Sequence, residues 1–130
     1  MKKHRWTAIS VLLAAAFLAV VFTGCVSTGG NFVVKDCVSK CKVGDISATY
    51  GYFDGNKFYR FKLEEGETVT IGITTEDGTL NMVVADSDEN VIIAEYCLLT
   101  GSRDFTAEKD DTYTVSFTAA EHKGGYEITW

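Results

Sequence analysis

From Phe58 to Ile73 apolar and polar side chains alternate, FYRFKL and then TVTIGI, around the acidic stretch Glu64–Glu67. Tyr59, Phe61 and Leu63 share one face and Arg60 and Lys62 the other. Val69, Ile71 and Ile73 likewise oppose Thr68, Thr70, Gly72 and Thr74. A period of two buries one face of a strand and leaves the other in water. Gly66, set among three glutamates, supplies a tight turn between the two strands.

The pattern recurs along the chain. Phe32–Val34 reads as a first short strand, and Ile46–Phe53 as a second with Tyr50 and Tyr52 on one face and Phe53 on the other. Leu80, Met82 and Val84 alternate, Val91–Tyr96 returns, and a short strand lies about Phe105. Tyr113, Val115 and Phe117 line a further inward face, and Tyr126, Ile128 and Trp130 close the chain. Turns are expected at Asp54-Gly55-Asn56, Glu76-Asp77-Gly78, Asp86–Asn90, Gly101-Ser102, Glu108–Asp111 and His122–Gly125. Eight or nine short strands with no helix among them predict one all-β domain over residues 32–130, an antiparallel sandwich or jelly roll.

Ahead of this domain lie Lys2, Lys3 and Arg5, then a largely apolar run of 17 positions from Trp6 to Phe22, then Phe22-Thr23-Gly24-Cys25. Charge, apolar run and small residues in that order form a secretory leader over residues 1–24. With cysteine at the cleavage point it resembles the lipobox of bacterial lipoproteins. That resemblance implies a diacylglycerol thioether on Cys25, a short Ser/Thr/Gly tether over residues 25–31, and anchorage facing outside or into a periplasm. A plain cleaved leader and an uncleaved membrane helix stay open as alternatives, although 17 positions are few for a bilayer crossing of about 20. In all three versions the rest of the chain is exported.

Without its leader the chain has 106 residues, the size of one domain, with 9 basic side chains against 18 acidic ones and a charge of −9. That sign excludes a nucleic-acid surface and adhesion to anionic lipid. It favours solubility, and a cationic or calcium-bridged partner fits it. Export permits disulfides. Cys37 and Cys41 bond if the chain turns between them, either one pairs with Cys97, or none bonds; a fully extended run would hold Cys37 and Cys41 about 13 Å apart, too far to bridge.

Three groups of residues are candidates for chemistry. Asp86, Asp88 and Asn90 offer alternating oxygens, as calcium loops do, with Asp110 or Asp111 to complete a site, although the same residues also make an ordinary turn. Tyr50, Tyr52, Phe58, Tyr96 and Trp130 would stack on sugar rings if they lie side by side on an open face, and would otherwise fill the core. His122, in AEHKGG, has no nucleophile nearby in sequence and reads as a solvated loop histidine. No enzyme is expected.

From Asp54 to Trp130 the pieces FYRFKLEEGETVTIGI, DGTLNMVVADSDENVI, DDTYTVSF and GGYEITW resemble the bacterial prepeptidase C-terminal (PPC-type) domain. The resemblance implies a non-catalytic sandwich of the kind appended to secreted enzymes. Lys57 and Asn81 stand where that family often carries acidic residues. The expected function is therefore a membrane-anchored envelope module that binds a glycan or a protein. The alternative is an accessory subunit of an envelope complex, docked through a sheet edge.

Overall fold

The structure, a computed structural model, describes residues 26–130. The leader and Cys25 lie outside the described residues. Seven strands follow in order: β1 Ser27–Lys35, β2 Val38–Lys42, β3 Asp45–Leu63, β4 Thr68–Ala85, β5 Val91–Glu95, β6 Gly101–Thr106 and β7 Asp111–Thr129. Every pairing is antiparallel, and β7 lies between β3 and β4. All-β architecture is thus as expected, but the strands are fewer and three of them are much longer.

The extra length of β3, β4 and β7 is explained by a crease. Phe117 and Tyr126 lie nine residues apart on β7, a distance of about 30 Å if the strand ran straight. Their rings nevertheless stack with centroids 4.3 Å apart. The strand therefore folds back on itself, and β3 and β4 fold beside it. One arm, sheet I, runs β2, Asp45–Tyr50 of β3, Gly124–Thr129 of β7, Thr70–Thr75 of β4, then β6. The other, sheet II, runs β1, Phe53–Leu63 of β3, Asp111–His122 of β7, Thr79–Ala85 of β4, then β5. Strands that pass from one sheet to the other through bulges are a known way of turning sandwich corners.

At the crease the register slips in β3 between Tyr50 and Gly55, and opposite β4 between Thr75 and Thr79. The glycine clusters expected as turns are these creases. Asp54-Gly55-Asn56 lies within β3, Glu76-Asp77-Gly78 within β4 and His122–Gly125 within β7. Gly55, Gly78 and Gly124 have positive φ, which bends each strand without ending its ladder. The bulge also overturns the expected facing of Tyr50 and Phe53: both point inward, at 3% and 1% exposure, and Tyr52 is half-buried.

The other connections follow from the crease. Segments 43–44, 64–67, 86–90 and 107–110 sit at the opposite, open end, and Val26 and Trp130 lie there too. The turn at Glu64–Glu67 forms as expected, with the Glu67 amide donating to the Glu64 carbonyl at 3.1 Å. Its flanking strands do not pair with each other; they cross from sheet II to sheet I, on either side of β7. The segment expected as a tether is mostly strand, since β1 starts at Ser27 and pairs it with Arg60. The charged segment 36–45, which carries the cysteine pair, contains β2.

The core fills the space between the arms. Tyr59, Phe61, Leu63, Val69, Ile71, Ile73, Leu80, Met82, Val84, Tyr113, Val115, Phe117 and Ile128 are all buried, each at an alternate position read from the sequence. Trp130 closes the open end, stacked 4.1 Å from Phe61 of the opposite arm.

Candidate functional site

Sheet I presents to solvent the face that the core does not use. Direct ladder partners share a face, so one row crosses all five strands: Lys40, Ser47, Glu127, Gly72, Ser102. The next row toward the crease is Val38, Thr49, Gly125, Thr74. All of these except Val38, together with Asp45, Thr100 and Glu76, line an open trough of about 660 Å³. Its walls are hydroxyls, its floor is glycine and backbone, and it holds three carboxylates.

The charges in the trough are not equivalent. Lys40 pairs with Asp45 at 3.1 Å, and Lys123 with Glu76 at 3.8 Å. Glu127, exposed at the middle of the long row, has no ion-pair or hydrogen-bond partner among the described residues.

Gly72 is the informative floor residue. An added Cβ at Gly78 would overlap the Glu121 carbonyl, and one at Gly125 the Ala48 carbonyl, so the neighbouring backbone demands those glycines. At Gly72 the nearest atom to such a Cβ, the Glu127 carbonyl oxygen, is 4.0 Å away, and φ lies outside the left-handed region. A glycine in a strand interior costs about 0.5–1 kcal/mol relative to alanine. Nothing in the fold requires that cost at Gly72, and its effect is to keep the trough open. Sequence reading placed Gly72 on a wet face among threonines and went no further; an isolated glycine inside a strand pattern was the available signal.

The residues singled out by sequence do not gather in this trough as side chains. Tyr50 is in the core at the crease, and Tyr96, 70% exposed, follows β5 on the far edge. Trp130 packs on Phe61, Tyr52 lies under the Lys35 ammonium at 4.9 Å, and Phe58 lies under the Arg60 guanidinium at 4.7 Å. No shared aromatic platform results.

His122 is the largest departure. It is fully buried at the crease rather than solvated. The Thr75 hydroxyl donates to the Leu98 carbonyl at 2.8 Å, which uses its one proton. His122 Nε2–H must then donate to Thr75 Oγ1 at 2.9 Å, and Nδ1 accepts from the Tyr50 hydroxyl at 2.7 Å. The tautomer is thereby assigned by the network. One directed chain, Tyr50 to His122 to Thr75 to Leu98, thus ties β3, β7 and β4 to the loop after β5. Burial lowers the His122 pKa and raises that of Tyr50, so both are held neutral. Tyr59 and Tyr126 hydroxyls form a second buried pair at 2.5 Å.

In the loop as folded, the calcium candidates are engaged with one another and with a lysine. Asp86 Oδ1 accepts the amides of Asp88 and Asn90, both at 2.9 Å, and Asp86 Oδ2 accepts from the Asn90 side chain at 3.1 Å. The Lys109 ammonium then lies 3.6, 3.4 and 3.6 Å from Asp86, Asp88 and Asp111. Lys109 thus supplies the positive charge among these three carboxylates. The hydrogen bonds from Asn90 to Asp86 and from Ser87 to Asp111 hold both carboxyls below the usual range. Among the described residues no His, Cys, Asp and Glu group is arranged to hold a metal ion.

Cys37, Cys41 and Cys97 are exposed and unbonded. Cys37 immediately precedes β2 and Cys41 lies within it, a span of about 13 Å when extended, and the two are not bonded. Cys97 lies beyond the β4 edge, its amide donating to Asn81 Oδ1 at 2.9 Å, with β3, β7 and β4 between it and the other two. Three intervening strands make four strand spacings, about 19 Å along the sheet, and no bond joins Cys97 to either of the others.

No protein-family model matches the sequence, and no curated protein matches it. Among solved structures, PliG of Aeromonas hydrophila, a periplasmic inhibitor of g-type lysozyme, is similar with a TM-score of 0.45 and 11% identity, over 82% of this chain and 86% of that one. The pre-peptidase C-terminal domain of a Bacillus anthracis collagenase gives 0.43 and 15%, over 82% and 88%. The C-terminal CBM6 of LamC from Zobellia galactanivorans gives 0.42 and 8%, over 82% of this chain and all of that one. At such values none of these likenesses bears on what this chain binds.

Proposed function

We propose that this chain is an exported, lipid-anchored envelope module that binds a glycan in the sheet I trough and performs no chemistry. The observation that carries this reading is Gly72, a strand glycine with ordinary backbone and open space, whose smallness serves the trough and not the fold. The hydroxyls of Ser47, Thr49, Thr74 and Ser102 offer donors and acceptors for a polyhydroxylated ligand. A non-catalytic role is supported by His122, whose two nitrogens are both committed to buried partners. The anchoring half rests on the leader ahead of Cys25.

The test is a glycan array probed with the full chain in detergent, beside a Gly72→Tyr variant. Gly72 lies on the open face and an added Cβ there meets nothing closer than 4.0 Å, so Gly72→Tyr is expected to keep its melting temperature within a few degrees and to lose glycan signal by about tenfold or more. Undiminished glycan binding by Gly72→Tyr would refute the site. For the anchor, a labelled fatty acid is expected to be incorporated into the wild-type chain and not into Cys25→Ala; a wild-type chain that takes up no label would refute lipid attachment.

A second reading is favoured by one observation. Along and just beyond the unpaired edge of β5, Val91 and Ile92 are 60% and 42% exposed and Leu99 73% exposed. An apolar edge of this kind suits docking on another envelope protein. Recovery of the chain only within a membrane complex, with no glycan bound, would support this accessory role.

A further inference from the structure

We infer that the trough selects a glycan whose sugars carry a free amine, an inference that rests on the trough reading above. Glu127 stands at the centre of the row, between Ser47 on one neighbouring strand and Gly72 on the other. The other two carboxylates of the trough are matched by lysines, whereas Glu127 is not. An anionic group placed centrally, unpaired and beside the open floor calls for a cationic group on the ligand, held by a charge-assisted hydrogen bond. The hydroxyls of Ser47 and Ser102, to either side along the same row, meet the ring hydroxyls. Ser47 lies one strand spacing from Glu127 and Ser102 two, about 5 and 10 Å, so a sugar bearing an ammonium among several hydroxyls supplies both kinds of group across the row. The charge of −9 outside the leader works in the same direction, since it repels acidic glycans and draws in cationic ones.

The experiment titrates the full chain in detergent with three oligosaccharides of equal length: free-amine glucosamine, its N-acetylated form and neutral glucose. The glucosamine oligomer is expected to bind about tenfold tighter than either of the others. That preference should weaken as salt rises. Glu127→Gln should remove the preference, and Gly72→Tyr should remove binding of all three. Equal binding of amine and acetylated oligomers overturns the inference, as does a preference that survives Glu127→Gln. Competition by an oligolysine peptide as effective as the glucosamine oligomer also overturns it, because the ammonium would then suffice without a sugar. If the neutral oligomers bind and are lost in Gly72→Tyr, the trough stands and only the amine selection fails. If no oligomer binds, the trough reading fails with it.

Discussion

Replacing His122 with leucine is expected to destabilise the fold by about 3 kcal/mol, because it leaves the buried Tyr50 hydroxyl without its acceptor. For a domain of this size that amounts to a fall in melting temperature of about 10 °C or more. Adding Tyr50→Phe removes the orphaned hydroxyl, so the double variant should lose less than the sum of the two single changes. Acid sensitivity gives a sharper readout. An unfolded histidine takes its proton near pH 6.5, while burial holds folded His122 neutral to lower pH. Between these two values the unfolded chain carries a proton that the folded chain lacks. Stability therefore declines as pH falls below about 6.5, by at most ~1.4 kcal/mol per pH unit, and levels off once His122 itself titrates in the fold. In His122→Leu that decline should vanish. Asp86 and Asp111, with lowered pKa values, add a separate loss at lower pH, below the ordinary carboxylate range, in both proteins. A wild-type stability curve flat from pH 7 to pH 5, or one that His122→Leu leaves unaltered, would contradict the buried chain.

Gly124→Ala is expected to be at least as damaging, about 3 kcal/mol or more. Its φ is 145°, and an added Cβ would overlap the carbonyl oxygen of Thr74 on the neighbouring strand. Backbone on both sides cannot give way as a side chain could. Gly72→Ala on the same sheet should do the opposite and stabilise by about 0.5–1 kcal/mol. Urea unfolding of the three proteins decides the matter. A Gly124→Ala variant within 1 kcal/mol of wild type would mean that β7 does not bend there.

The inward face of this fold was legible because alternation is a local property. Val69, Ile71 and Ile73 point the same way whatever their strand pairs with, and away from the crease the buried faces Tyr59–Leu63, Val69–Ile73, Leu80–Val84 and Tyr113–Phe117 follow from that alone. What the strands do beyond their own span is not local. Asp54-Gly55-Asn56 and Glu76-Asp77-Gly78 carry the chemistry of a turn, and a glycine at positive φ serves a reversal and a crease equally well. Only the neighbouring β7, pairing on both sides of each cluster, decides for the crease. The misplacement of Tyr50 and His122 follows from the same cause, since one bulged residue turns Tyr50 and Phe53 to the same side, and a histidine read as loop becomes a core residue tying three strands. The cysteines were left open because their separation depends on β2 being extended. The trough was invisible in a stronger sense: Ser47, Glu127 and Gly72 belong to three distant segments, and no spacing rule joins them.

Because the arms are hinged at one end and open at the other, polypeptide enters and leaves the domain through the same doorway. Another unit spliced on before Val26 or after Trp130 would stack on that side and leave the bend unobstructed. A fluorescent protein fused at Trp130 should accordingly report on this module without disturbing the residues grouped around His122.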